Sequence, residues 1–134
     1  MVGDPSVMPA IAASLERVPA GRSVDVVLQV PDAEDRVEFT TPGDLRLHWL
    51  HERGDEVLTE AVRELDLPDK TDAFVHGEAS SVRALRRHLI VERGIPRDAL
   101  SVSGYWKRSR TEEGWREDKT EWNRLVQTDE DQAA

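Results

Sequence analysis

Residues 72–110, DAFVHGEASSVRALRRHLIVERGIPRDALSVSGYWKRSR, decide how the chain is organised. Asp72-Ala73-Phe74-Val75-His76 is an apolar run of strand length that stops at Gly77, and Gly77-Glu78-Ala79-Ser80 turns the chain into a helix. Val82, Leu85 and Leu89 recur at helical spacing, and Gly94 followed by Pro96 is a helix stop. A second short strand, Leu100-Ser101-Val102-Ser103, runs to Gly104, where the chain presents Tyr105-Trp106-Lys107-Arg108. A parallel strand–helix–strand unit brings both strand ends to one edge of a sheet, the edge where open α/β sheets bind ligands. Gly77-Glu78 and Gly104-Tyr105-Trp106-Lys107 are therefore expected to face one crevice.

Working outward, residues 1–3 read as the tail of a strand. Gly3-Asp4-Pro5-Ser6 is turn chemistry, with Ser6 as a helix cap, and Val7, Met8, Ile11, Leu15 and Val18 form a helical stripe ending at Pro19-Ala20-Gly21. Pro9 falls in the first turn, where its missing N–H costs little. Ser23–Val30 is rich in β-branched residues and nearly continuous in hydrophobicity, as a strand buried on both faces should be. An acidic loop follows, then Val37-Glu38-Phe39-Thr40 as a brief edge strand and Leu45–Leu50 as the next full strand. Asp55 is placed to cap a helix striped by Val57, Leu58, Ala61, Val62 and Leu65. Strands separated by single helices predict right-handed parallel crossovers. The expected fold is a doubly wound, mostly parallel sheet of four or five strands with helices on both faces and a truncated first strand.

After Arg110, Thr111-Glu112-Glu113 opens a last helix with acids in its first turn. Trp115, Trp122 and Val126 share one face, which either docks on the body or serves a partner. Residues 1–127 are read as one domain and 128–134 as a frayed acidic tail.

The 134 residues include no Cys, which removes disulfides, thiolate metal sites and thiol catalysis together. No apolar run approaches the ~20 residues of a membrane span, and the amino terminus lacks a secretion leader, so a cytoplasmic location is expected. The net charge of −9 argues against a nucleic-acid partner, but charge is unevenly spread. Residues 83–110 carry eight Lys/Arg against two acids, net +6, between acidic flanks of net −10 and −5. Such a block either focuses field on an anionic ligand or forms a helix face paired with neighbouring carboxylates.

His48, His51 and Glu52 have the order H-x-x-H-E with no third ligand evident, and a structural role is expected for them. The chain has no nucleophile elbow, no Walker loop and no zinc spacing. What remains is a binding edge. Glycine at a strand's carboxyl end permits close approach, Tyr105 and Trp106 offer flat faces to a ring, and Lys107 and Arg108 offer cationic donors. Trp106 could equally fill core under the last helix, and Lys107 could simply be solvated.

FVHGEASSVRALRRHL followed by GIPRDALSVSGYWKRSRTEEGW resembles the carboxy-terminal domain of the siderophore-interacting proteins. The resemblance covers nearly the whole chain and is strongest over 72–125. It implies the NAD(P)H-binding half of a flavin-dependent ferric-siderophore reductase, a ferredoxin-reductase-like nucleotide-binding domain. There NAD(P)H reduces a flavin held by a separate amino-terminal barrel, and the flavin reduces Fe(III), which the siderophore then releases. In that family a basic patch holds the anionic ferric siderophore, and the resemblance implies that role for the basic position after G-Y-W, which is Lys107 here.

The turn G-D-P-S-V-M-P-A-I stands where the family shows G-D-E-T-A-L-P-A-I. By itself it has one Gly, no G-x-G-x-x-G fingerprint, and an Asp4 that would repel an anion. The resemblance makes Gly3, Asp4 and Ser6 candidate nucleotide contacts, joining Gly77, Glu78, Gly104, Tyr105 and Trp106. Lys107 and Arg108 are the candidate substrate contacts. With the barrel absent, FAD could come only from a missing or separate domain. Three situations stay open: a fragment, a chain working beside a separate flavin protein, or a non-catalytic module that binds an anionic ligand or protein through the same edge. A truncated edge also makes a homodimer through the sheet an expected arrangement.

Overall fold

A computed structural model describes residues 1–133, without the side chain of residue 133. Five strands form one sheet in the order β3-β2-β1-β4-β5, and every neighbouring pair is parallel. The strands are β1 (Val2–Gly3), β2 (Ser23–Gln29), β3 (Asp44–Leu50), β4 (Ala73–Glu78) and β5 (Leu100–Trp106). The helices are α1 (Met8–Leu15), α2 (Val57–Arg63), α3 (Ala79–Arg87) and α4 (Glu112–Ala133). The expected doubly wound α/β fold is the one observed.

Period-two alternation in the central strands sends side chains to two separate cores. Val26 and Leu28 pack under Val7, Ile11 and Leu15 of the α1 segment. Val27 and Val75 face the opposite way, against Leu58 and Val62 of α2, Val82 and Leu85 of α3, and Trp115, Trp122 and Val126 of α4. One face therefore carries α1 alone and the other carries three helices. The Trp115–Trp122–Val126 face of α4 is docked rather than free. Its two rings meet edge to face at 5.8 Å, and the Trp122 Nε1–H donates to Ala79 O at 3.0 Å.

Several local expectations change. Residues 37–40 form no strand; Phe39 instead packs beside Trp49, ring centroids 6.2 Å apart, and helps to cover the α1 face where the β2–β3 crossover has no α-helix. Asp55 does not cap α2: Glu56 holds the N-cap position without a side-chain bond, and Asp55 pairs with Arg108 at 2.6 Å. At the β1–α1 turn the capping oxygen belongs to Asp4, with Ser6 as donor. β4 continues through Glu78 and β5 through Trp106, each further than the apolar runs indicated.

The residues expected as a frayed tail extend α4, although Ala134 lies outside the described residues. Asp129 accepts two hydrogen bonds from Arg83, at 2.8 and 3.1 Å. Buried Glu130 pairs with Arg86 and, at 2.8 Å, with Arg97. The acids of the chain end thus neutralise arginines of the basic block. A further change concerns β1. The short strand is central, and the sheet edges are β3 and β5, so it offers no truncated edge for dimerisation.

The Arg83 hydrogen bonds hold the Asp129 carboxyl below its ordinary pKa, against a smaller opposing effect of burial. A carboxyl whose folded pKa is depressed contributes stability above its unfolded pKa and loses it as pH falls through the folded value. Asp129→Asn is therefore expected to lower the urea midpoint at pH 7. The gap from the parent chain should narrow toward pH 3; a gap independent of pH would show that Asp129 acts only through packing.

Candidate functional site

At the carboxyl ends of β1, β4 and β5, two buried carboxylates organise the edge of the sheet. Asp4, 8% exposed, follows β1 directly. Its Oδ1 accepts from Ser6 N–H at 2.9 Å and Ser6 Oγ at 2.5 Å. Its Oδ2 accepts from Glu78 N–H at 2.9 Å and from the indole Nε1–H of Trp106 at 3.0 Å. Glu78 ends β4 and caps α3, its Oε2 accepting from Ser81 N–H at 3.0 Å. Its Oε1 accepts from Arg108 N–H at 3.2 Å, beyond the end of β5. The carboxylate at each strand end is thus satisfied by charge-assisted bonds to the next segment of chain.

This wiring explains two glycines. Gly77 has φ +138°, and a Cβ there would stand 2.5 Å from Asp4 Oδ2. Gly3 leaves room for Val7, whose Cγ2 would collide with any side chain at that position. Gly104 has a different task, since a Cβ would meet Trp115 at 3.0 Å and Ala79 at 3.3 Å, where α3 and α4 close over β5.

The structure brings Asp4, Ser6, Gly77, Glu78 and Trp106 together by direct contact, with Arg108 joined through its backbone. Trp106 is 39% exposed and does not fill core under α4. Tyr105, 43% exposed, meets the edge of His76 at 5.0 Å with planes at 83°. Arg108 pairs with Asp55 on the surface, whereas Lys107 forms no ion pair among the described residues. Lys107 lines an open cleft of about 610 Å³ with Arg83 and Arg87, and the other charged walls of that cleft are carboxylates, among them Glu56, Asp118 and Glu121. The remaining arginines of the block are largely engaged. Arg83, Arg86 and Arg97 hold α4, and Arg93 donates to the carbonyls of Val62, Arg63 and Leu65 at the end of α2. Arg110 pairs with Asp118 at 2.7 Å.

Sequence reading missed His76. It stacks on Phe74 at 4.0 Å, hydrogen-bonds Ser101 Oγ at 3.0 Å, and supports Tyr105 from below. Burial lowers its pKa, disfavouring the imidazolium. The alternation Phe74–His76 placed both on one face of β4, and that was the available signal. His48 and His51 have structural partners instead: His48 lies 3.2 Å from Asp25, and His51 contacts Arg36 and Val30 O.

Comparison with known proteins shows the family. Residues 1–109 match the family described as Siderophore-interacting protein. The chain belongs to the siderophore-interacting protein family. It is 37% identical over 125 residues to the ferric vibriobactin reductase ViuB of Vibrio cholerae, a match covering 89% of this chain and 46% of that protein. The siderophore-interacting protein SipS of Aeromonas hydrophila superposes with a TM-score of 0.81 at 28% identity, over 90% of this chain and 50% of that one. A siderophore utilization protein from T. fusca gives 0.73 at 30% identity, over 83% and 45%. The chain spans about half the length of these relatives. Among the described residues no helix is long and apolar enough to cross a membrane.

Asp4→Ala would strip the acceptor from Glu78 N–H and Trp106 Nε1–H at once. Since each buried donor left unpaired costs about 1–3 kcal/mol, the expected loss is about 2–3 kcal/mol in urea denaturation. Gly77→Ala should cost a similar amount, about 2 kcal/mol or more, from the left-handed backbone and the contact with Asp4. Wild-type midpoints for both variants would remove Asp4 as the organiser of this edge.

Proposed function

We propose that this siderophore-interacting chain is the NAD(P)H-binding half of a ferric-siderophore reductase that acts in iron release with a flavin held elsewhere. The observation that carries the reading is the set of exposed aromatic and basic side chains at the carboxyl edge of the sheet. Exposed Tyr105 and Trp106 stand there beside Lys107 and Arg108, on a scaffold fixed by Asp4 and Glu78. Its relative ViuB is named a ferric vibriobactin reductase.

The residues present fit the ring end of a nicotinamide nucleotide better than its phosphates. Tyr105 and Trp106 supply exposed aromatic faces, and the positive φ of Gly77 leaves the edge without a side chain. The N–H groups of Ser6, Glu78, Ser81 and Arg108 are occupied by the two carboxylates, so they form no phosphate nest. Gly3, Asp4, Ser6 and Glu78 therefore act by shaping the edge, and Lys107 and Arg108 supply the charge for phosphate or for the anionic ferric siderophore. The exposed Arg108–Asp55 pair is worth about 0–1 kcal/mol, so an incoming anion can replace Asp55 at small cost. The nucleotide, when bound, supplies hydride to the flavin; this chain's part is to orient the ring and hold the anion.

The occupied N–H groups also favour a second reading. A non-catalytic module could use the same Lys107–Arg108 edge for an anionic ligand or a protein partner, with no nucleotide at all.

Titration with NADH and NADPH, read as energy transfer from tryptophan to nicotinamide, separates the two. The first reading expects saturable binding that Lys107→Glu weakens about ten-fold, near 1.4 kcal/mol. Absence of binding to either nucleotide at millimolar concentration, with a ferric siderophore still bound, would instead establish the second.

A further inference from the structure

Two aromatic rings stand exposed at the carboxyl edge, and they are anchored differently. Trp106 is fixed by the hydrogen bond from its Nε1–H to Asp4 Oδ2 at 3.0 Å. Tyr105 leaves the edge strand β5 on the opposite side from Val102, toward the face that carries α1 alone. Its aromatic neighbour among the described residues is His76, with ring centroids 5.0 Å apart and planes at 83°. His76 is itself stacked on Phe74, at 4.0 Å with planes 10° apart, and its Nε2 lies 3.0 Å from Ser101 Oγ. Phe74 in turn packs against the cluster of Val7, Ile11 and Leu15. A chain of ring contacts thus runs from the core beneath α1, through Phe74 and His76, to Tyr105.

The protonation state of His76 governs whether that chain holds. Its Nδ1 is buried and has no hydrogen-bond partner among the described residues. With the proton on Nε2, donated to Ser101 Oγ, the neutral ring leaves only a lone pair unmet at Nδ1. The imidazolium places a second N–H there, a charged donor sealed from water and without an acceptor. The charged groups around it give no relief. Lys119 of α4 repels a positive ring, and the Asp4 carboxylate is committed to Ser6, Glu78 and Trp106. The facing side chains of β5, Ser101 and Tyr105, are hydroxyls. Burial accordingly depresses the His76 pKa, opposed by the bond to Ser101 and reinforced by Lys119. A proton on this ring is accommodated by turning Nδ1 out to water, which takes the imidazole off Phe74 and removes the contact with Tyr105.

We propose that His76 is a positioning residue: its neutral imidazole fixes Tyr105 as the second aromatic face of the edge, and its protonation releases that face. A flat ligand is held best by partners whose orientation is settled before it binds, so loss of the His76 contact weakens a ligand that His76 itself does not touch. The consequence for a ligand rests on the reading of this edge as a nicotinamide site. The coupling of the two rings does not, and it is measurable in the free chain.

The chain has one Tyr, so ring-labelled tyrosine gives a single NMR reporter. In the free chain the Tyr105 ring signals are expected to shift together with the His76 imidazole, at one shared midpoint below the ordinary imidazole range. In His76→Phe, which keeps a flat ring but takes no proton, they should stay fixed from pH 8 to pH 5. Freshly diluted NADH is expected to bind about three- to ten-fold more weakly at pH 5 than at pH 8, the span of one aromatic pair, with the dependence lost in His76→Phe. Tyr105 signals that ignore the His76 midpoint, or that move alike in His76→Phe, overturn the proposal. So does NADH affinity that is unchanged by pH or falls equally in both chains. Failure of NADH to bind at pH 8, with the two rings still titrating together, strikes the nicotinamide reading and leaves the His76 assignment standing.

Discussion

The carboxylate of Asp4 is the constraint on which the upper edge of this molecule depends. It gathers hydrogen bonds from the turn that opens α1, from the end of β4 and from the indole of Trp106 beyond β5, segments separated by up to 102 positions in the chain. Buried donors left without acceptors would cost more than the bonds themselves return, so the arrangement is held chiefly by the penalty for breaking it. Glu78 repeats the device one strand further along, tying the start of α3 to the chain after β5. The consequence is chemical as well as structural. An edge whose main-chain donors already face carboxylates cannot hold phosphate as a glycine-rich nucleotide loop does, which leaves Lys107 and Arg108 as the cationic side chains at this end of the sheet.

The positive block tells the same story from the other side. Most of its arginines are spent internally, on Asp129, Glu130, Asp118 and the carbonyl end of α2. The net charge of a segment measures how many cations it contains, not how many face solvent unpaired. Here the helix α4, acidic along its last turns, converts a basic surface into a packed interface and leaves Lys107 at the rim of a cleft.

The fold was legible because it rests on local patterns. β2 shows as an unbroken β-branched run, and α3 shows in the spacing of Val82, Leu85 and Leu89 before Gly94. The parallel order follows from helices placed between strands. The site was legible as a location, since strand ends in such a sheet meet at one edge. Its wiring was not. That Asp4 reaches Glu78 and Trp106 depends on three strands arriving in register, which no spacing within one segment encodes. The mistaken parts have the same origin. Phe39 reads as strand but serves as a lid where the β2–β3 crossover has no α-helix. Asp55 reads as a cap but finds Arg108 across the molecule. The chain end reads as a loose acidic tail because its arginine partners lie more than 30 residues away.

β1 connects the two ends of the sheet with only two residues. Asp4 leaves its upper end. A strand this short gains little from its own ladder, so its position depends on packing of Val2 between the flanking strands and on the Asp4 bonds above.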